Sequence, residues 1–216
     1  MINFTDLTGL ASAATAFLLL SGLMPGIERL AKSQLAALLA AMFALMLIPF
    51  GGMPLAAYVR GATGDLSITT MVLLWCALTK NFWPDTRLRP FCGATDAGSR
   101  HALLLLIALA ALAFYPMALG VGAFDPYRLG YGDPLFVSAL LFIALAAWFR
   151  KLPLIALCIA FATFAWAIGW YESTNLWDYL LDPFVSIYAL AAIMIHAVKA
   201  LLQRGRLRKA QSGLRG

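Results

Sequence analysis

The sequence predicts an all-α protein: a polytopic bundle of about seven transmembrane helices, six being the fallback count. Three observations carry that prediction. The composition is 62% hydrophobic and only 12% charged, with a mean hydropathy of +0.84, where soluble domains run near 45–50% apolar and about 25% charged. The apolar residues gather into seven runs, 7–24, 34–50, 66–78, 102–121, 135–149, 153–170 and 183–202. Finally, with the carboxyl terminus placed inside, every Lys and Arg except Arg60 and Arg128 falls on the inner side, as retention of basic residues on the cytoplasmic face requires. The amino terminus is then outside.

Most of these runs approach the ~20 residues that a helix rising 1.5 Å per residue needs to cross ~30 Å of hydrocarbon. Run 7–24 is expected to persist as a helix, because residues 1–6 carry no positive charge and Ser21-Gly22-Leu23-Met24-Pro25 lacks a small-x-small cleavage site. In this run Gly9 and Ala13, and in the next Ala36, Ala40 and Ala44, recur at four-residue spacing. Small residues on one face let helix backbones approach closely, so both sets are expected to face neighbouring helices. Run 66–78 reaches spanning length only if Thr79 to Trp83 continue the helix with Lys80 snorkelling. Run 102–121 contains Pro116, which predicts a kink near its outer end, and run 135–149 must borrow Pro134 and Arg150.

Residues 1–202 therefore read as one transmembrane helical domain and 203–216 as a basic cytoplasmic tail. Asp6, Asp65, Asp125, Asp133, Glu172, Asp178 and Asp182 fall outside, whereas Glu28, Asp85 and Asp96 fall inside. The net charge of +6 thus describes an inner face suited to anionic membrane lipid and not a nucleic-acid surface. A multi-pass plasma-membrane location follows, the bacterial inner membrane being favoured. Cys76, Cys92 and Cys158 form no C-x-x-C motif, so they read as spectators, with no disulfide framework, metal site or cofactor indicated.

Two outer segments carry the candidate chemistry. In 166–183, three Trp, two Tyr and the carboxylates of Glu172, Asp178 and Asp182 are crowded together. If 176–182 is a short interfacial helix, Asp178 and Asp182 lie one turn apart on one face, placed to act with Glu172 as acid, base or cation ligands. The structural alternative is that the aromatic rings are interfacial anchors and that Asp182 before Pro183 is a helix N-cap. In 51–70, a short helix over 54–60 ending at Gly61 is expected to lie in the outer leaflet, with Asp65 capping the next span. Arg60 would then either hold a phosphate bidentately or pair with Asp65 or Glu172. Arg128, in a loop bounded by Asp-Pro turns, is the second candidate substrate-binding residue. Thr69 and Thr70 are expected to bond back onto their own helix.

The tryptophan-rich 166–183 segment is similar to the haem-handling loops of cytochrome c assembly proteins. That resemblance implies outward-facing histidine ligands, whereas His101 and His196 fall toward the inner face. A bis-histidine haem would need the helices of His101 and His196 to touch. Retinal proteins, zinc-dependent membrane hydrolases and rhomboid-type proteases are excluded by Lys199 near the inner end, by two separated histidines, and by the missing Gly-x-Ser-x-Gly.

Three function classes follow. The first is an integral membrane accessory or structural subunit concerned with envelope lipids or glycans, with membrane lipids and a membrane protein or a second copy as partners. The second is a small enzyme acting on a lipid-linked or phosphate-bearing substrate at the outer leaflet. The third, a small transporter, ranks last because the spans hold almost no mid-membrane charge.

Overall fold

The computed structural model describes residues 4–82 and 97–213. Arg87, Arg89, Cys92, Asp85 and Asp96 of the expected inner loop, and Arg215 of the tail, lie outside the described residues. Nine helices are described: α1 (Phe4–Gly22), α2 (Lys32–Leu47), α3 (Leu55–Thr63), α4 (Ile68–Phe82), α5 (Ala97–Ala118), α6 (Pro134–Phe149), α7 (Pro153–Ala167), α8 (Leu176–Leu180) and α9 (Pro183–Gly213). Each apolar run coincides with one of the longer helices, and among the described residues the protein is all-α apart from a ribbon of two two-residue strands. In that ribbon Pro49–Phe50 pairs with Met53–Pro54, closed by Gly51 and Gly52 at φ 60° and 93°, a turn that only left-handed residues make cheaply.

Length and composition single out α5 and the 183–204 stretch of α9 as able to cross a membrane, with the α3–α4 pair as a third if it is one broken span; α3 and α4 meet at 118°. Helices α2, α6 and α7 are apolar but shorter. The bundle has two parts. α1 packs on α2, α3 and α4, while α7 sits at the centre of the second part, against α4, α5, α6 and α8; α9 packs along α5. α4 belongs to both, and joins the large cluster around Cys158, Ile159 and Ala162 to the cluster of Leu19, Leu35 and Leu39. Much of the exterior is apolar: Leu135, Phe142 and Phe149 on α6, Leu109 and Leu112 on α5 and Met194 and Leu201 on α9 all point outward. Soluble monomers rarely expose so continuous an apolar surface.

Several local expectations change. α4 continues through Phe82, which lengthens run 66–78 as expected. α3, however, passes through Gly61 and stops at Gly64, whose φ of 70° lets its N–H bond the Arg60 carbonyl. Ala36, Ala40 and Ala44 face outward, because Leu35, Leu39 and Met46 supply the packing face of α2. Cys158 is a buried free thiol, whereas Cys76 is disulfide-bonded, so the spectator reading fails for Cys76. His101 and His196 do meet, with ring centroids 4.6 Å apart. At that separation the rings touch each other, and a porphyrin does not fit between them.

Candidate functional site

Asp65, Glu172, Asp178 and Asp182 gather with Trp166, Trp170 and Trp177 at one end of the bundle, here the acidic end, where the start of α4, the 170–182 segment and the start of α9 converge. Asp182 is its buried centre. One carboxylate oxygen, Oδ1, accepts the Val185 N–H at 2.9 Å, which makes Asp182 the N-cap of α9 with Pro183 in the first helical position. The other, Oδ2, accepts the Ser67 N–H at 2.9 Å and the Ser67 hydroxyl at 2.6 Å, and also the Thr70 hydroxyl. Ser67 in turn caps α4, its Oγ accepting the Thr70 N–H at 3.2 Å. One carboxylate therefore serves two helix N-termini at once, where the peptide dipoles favour negative charge. Thr70 bonds across to Asp182, which corrects the expectation that it turns back on its own helix.

Arg60 reaches over the same end from the last turns of α3. Its Nε and Nη2 donate to Asp65 at 2.6 and 2.9 Å in a bidentate fork, and Nη2 lies 3.2 Å from Glu172. The Asp65 hydrogen bonds raise the guanidinium above its ordinary value. Asp65 is consumed by this pair, and Ser67 caps α4 in its place. The guanidinium lies against the backbone of α1 at Gly9, where a Cβ would come within 2.5 Å of Arg60 Cζ. Gly9 is thus small to admit a charged side chain and not only to admit a helix.

The 170–182 segment is locked to the 3-10 turn at Pro126–Tyr131. Asn175, fully buried, caps α8 by accepting the Trp177 N–H at 2.9 Å and donates from Nδ2 to the Tyr127 carbonyl at 2.9 Å. Trp177 Nε1 donates to the Pro126 carbonyl at 2.9 Å, and its ring lies between Phe114 and Phe136 at 4.5 and 4.6 Å. At Gly130 a Cβ would stand 1.7 Å from Asn175 Oδ1, so this close approach excludes any side chain. Asp178 Oδ2 accepts the Tyr127 hydroxyl at 3.0 Å and the Ser173 hydroxyl; burial first, then Asp178, raises the Tyr127 phenol. Behind this, Tyr171 donates to the Leu66 carbonyl at 2.9 Å and Tyr179 to the Ser173 carbonyl at 2.9 Å. Burial pushes the Tyr171 phenol up to about 12 and raises Tyr179 as well.

These positions revise the expected site. α8 ends at Leu180 and Leu181 is extended, at φ −132° and ψ 140°, so Asp178 and Asp182 share no helical face and point to different partners. Leu176, Tyr179, Leu180 and Leu181 are buried in the bundle and do not lie along its surface. Arg60 meets Glu172 but not Asp178, and Arg128 is exposed. Among the described residues no group of three or more His, Cys, Asp or Glu is placed to hold a metal ion. Glu172 is the open carboxylate of the set, its side chain 58% exposed; the others are engaged in holding chain segments together. Gly130, Asn175 and Ser67 were not singled out by sequence reasoning, and Gly9 only as a small packing residue, although Asn175 and Ser67 both occupy N-cap positions before apolar helices.

Two outcomes test this arrangement. Asp182→Ala strips an acceptor from four donors and should cost about 3–5 kcal/mol, the scale of an unsatisfied buried polar network. Asp182→Asn should fall between, since its amide NH₂ confronts donors. Thermal unfolding in detergent measures both, and an unchanged midpoint for Ala would remove Asp182 from its central role. For Tyr171 the folded state holds the proton to about 12 against an ordinary 10.0. Its contribution is therefore complete below pH 10.0 and is lost as pH rises toward 12, because the unfolded chain ionises first. Stability should decline through that window in the parent chain and decline less steeply in Tyr171→Phe; parallel curves would contradict the burial argument. Compared with known proteins, the chain matches no family model, no curated protein and no solved structure.

Proposed function

We propose that this chain is a seven-span integral membrane protein of the bacterial inner membrane, amino terminus outside and carboxyl terminus inside, acting as a noncatalytic accessory or structural subunit in envelope lipid or glycan handling. One observation supports the reading above others: the acidic-end carboxylates are spent on architecture. Asp182 joins α4 to α9, Asp178 joins the 170–182 segment to Tyr127, and Asp65 neutralises Arg60. A general acid or base needs an oxygen within reach of substrate, and carboxylates engaged in this way are poorly placed to offer one. The outward apolar residues of α5, α6 and α9 support membrane embedding, and the basic residues placed along the chain support the orientation. Membrane lipids are then the first partners, with another membrane protein or a second copy as the assembly partner.

A second reading, an outer-leaflet enzyme acting on a lipid-linked or phosphate-bearing substrate, draws on one observation: Glu172 is open beside Arg60. Arg60 variants separate the two. In a structural role Arg60→Ala should lower folded yield, because losing a half-buried bidentate pair costs on the order of 2 kcal/mol, and Arg60→Lys should restore most of it, with any envelope phenotype following protein level. Loss of phenotype in Arg60→Lys at normal yield would favour phosphate binding by the planar fork.

The orientation has its own test. Single cysteines introduced at 125–133, Gly130 excepted, should react with a membrane-impermeant thiol reagent in intact cells, and those at 204–213 should not. Reversed labelling would overturn the orientation, and labelling at both sites would mean an odd number of unassigned crossings.

A further inference from the structure

We infer that the lipid-facing belt of this protein is thinner than a standard bilayer along α6 and α4, so that the lipid it selects there has short acyl chains; the inference rests on the membrane reading above. The clearest measure is α6, which has 16 residues, with Asp133 capping its start and Arg150 closing its end. Both ends of the helix are apolar and open, Leu135 being 81% and Phe149 79% exposed. The apolar surface therefore runs the full length of α6 and stops at charge on both sides. At 1.5 Å per residue it is about 24 Å tall, against a hydrocarbon core of ~30 Å.

α4 is bracketed in the same way, its apolar part lying between the positions of Asp65 and Lys80. On α9 and after α5 the outward apolar residues run further, to Leu201 and Leu202 and to Leu119 and Val121, so the short belt is confined to α4 and α6. Tilt would shorten each belt further. Lys and Arg at one end can extend away from the helix and recover some height. Asp133 cannot, because it is short and fixed: its Oδ1 accepts the Leu135 and Phe136 N–H groups at 2.9 and 3.0 Å. The bilayer must therefore come to the protein, by thinning around it or by enrichment in shorter chains.

Trp148 on α6 and Trp75 on α4 are 55% and 47% exposed and report on adjacent acyl chains. The full chain is reconstituted in phosphatidylcholine vesicles whose monounsaturated chains have fourteen, eighteen or twenty-two carbons, and tryptophan quenching by a brominated eighteen-carbon lipid is measured in each. The fourteen-carbon lipid should displace the brominated one on the order of threefold better than the twenty-two-carbon lipid. Equal displacement, as expected if a second copy covers α6, or preference for the longer chain would overturn the inference. No quenching in any vesicle would instead remove the membrane reading, and the inference with it.

Discussion

The carboxylate of Asp182 is the constraint on which the rest of the acidic end depends. A buried anion without a cation beside it is costly, and this one is stabilised by hydrogen bonds and by the positive ends of two helices. Its two oxygens are divided between them, Oδ1 on α9 and Oδ2 on α4. That division sets the relation of α4 to α9 more tightly than side-chain packing between them does, since packing is non-directional and hydrogen bonds are not. With α4 positioned, the Leu66 carbonyl lies where Tyr171 can reach it, and Asp65 lies where Arg60 can.

Two close approaches then complete the end. Arg60 rests on Gly9 and Asn175 rests on Gly130, so a charged group and a polar group are each seated against backbone that a methyl group would push away. Both contacts tie elements far apart in sequence: α3 to α1, and the 170–182 segment to the turn after α5. They show why a cluster rich in acids and aromatic rings need not be a catalytic centre. Polar groups are the directional fasteners available where much of the surrounding surface is apolar, as interhelical hydrogen bonds are in membrane bundles.

How much of this was legible in the sequence follows from the range of each interaction. The seven runs became helices because hydropathy is local, and Asp182-Pro183 was readable as a cap because a cap is made within four residues. The pairing of Arg60 with Asp65 and Glu172 was one of the two readings open for a cation in an apolar segment. Most of what failed needed a distant partner. Asp178 and Asp182 looked coupled by helical spacing, yet α8 ends before the second of them. The alanines of α2 suggested a packing face, yet the larger Leu35 and Leu39 on another face bury more apolar surface and turn the alanines outward. Gly130 carried no signal of its own and Gly9 only that of a small packing residue, because nothing in a single sequence tells which side chain will lie over a glycine.

The long reach of the Asp182 contact has a consequence for biogenesis. Ser67 and Asp182 are separated by 115 positions, so while the chain is being made the first turn of α4 must wait, its N–H and hydroxyl groups bonded elsewhere, until the start of α9 has been synthesised. The first four helices can pack against one another during that interval, but their acidic end stays open. Arrival of α9 is then the event that closes the molecule, and a ribosome that stalls before it would release a bundle with a polar cleft where the finished protein has a seam.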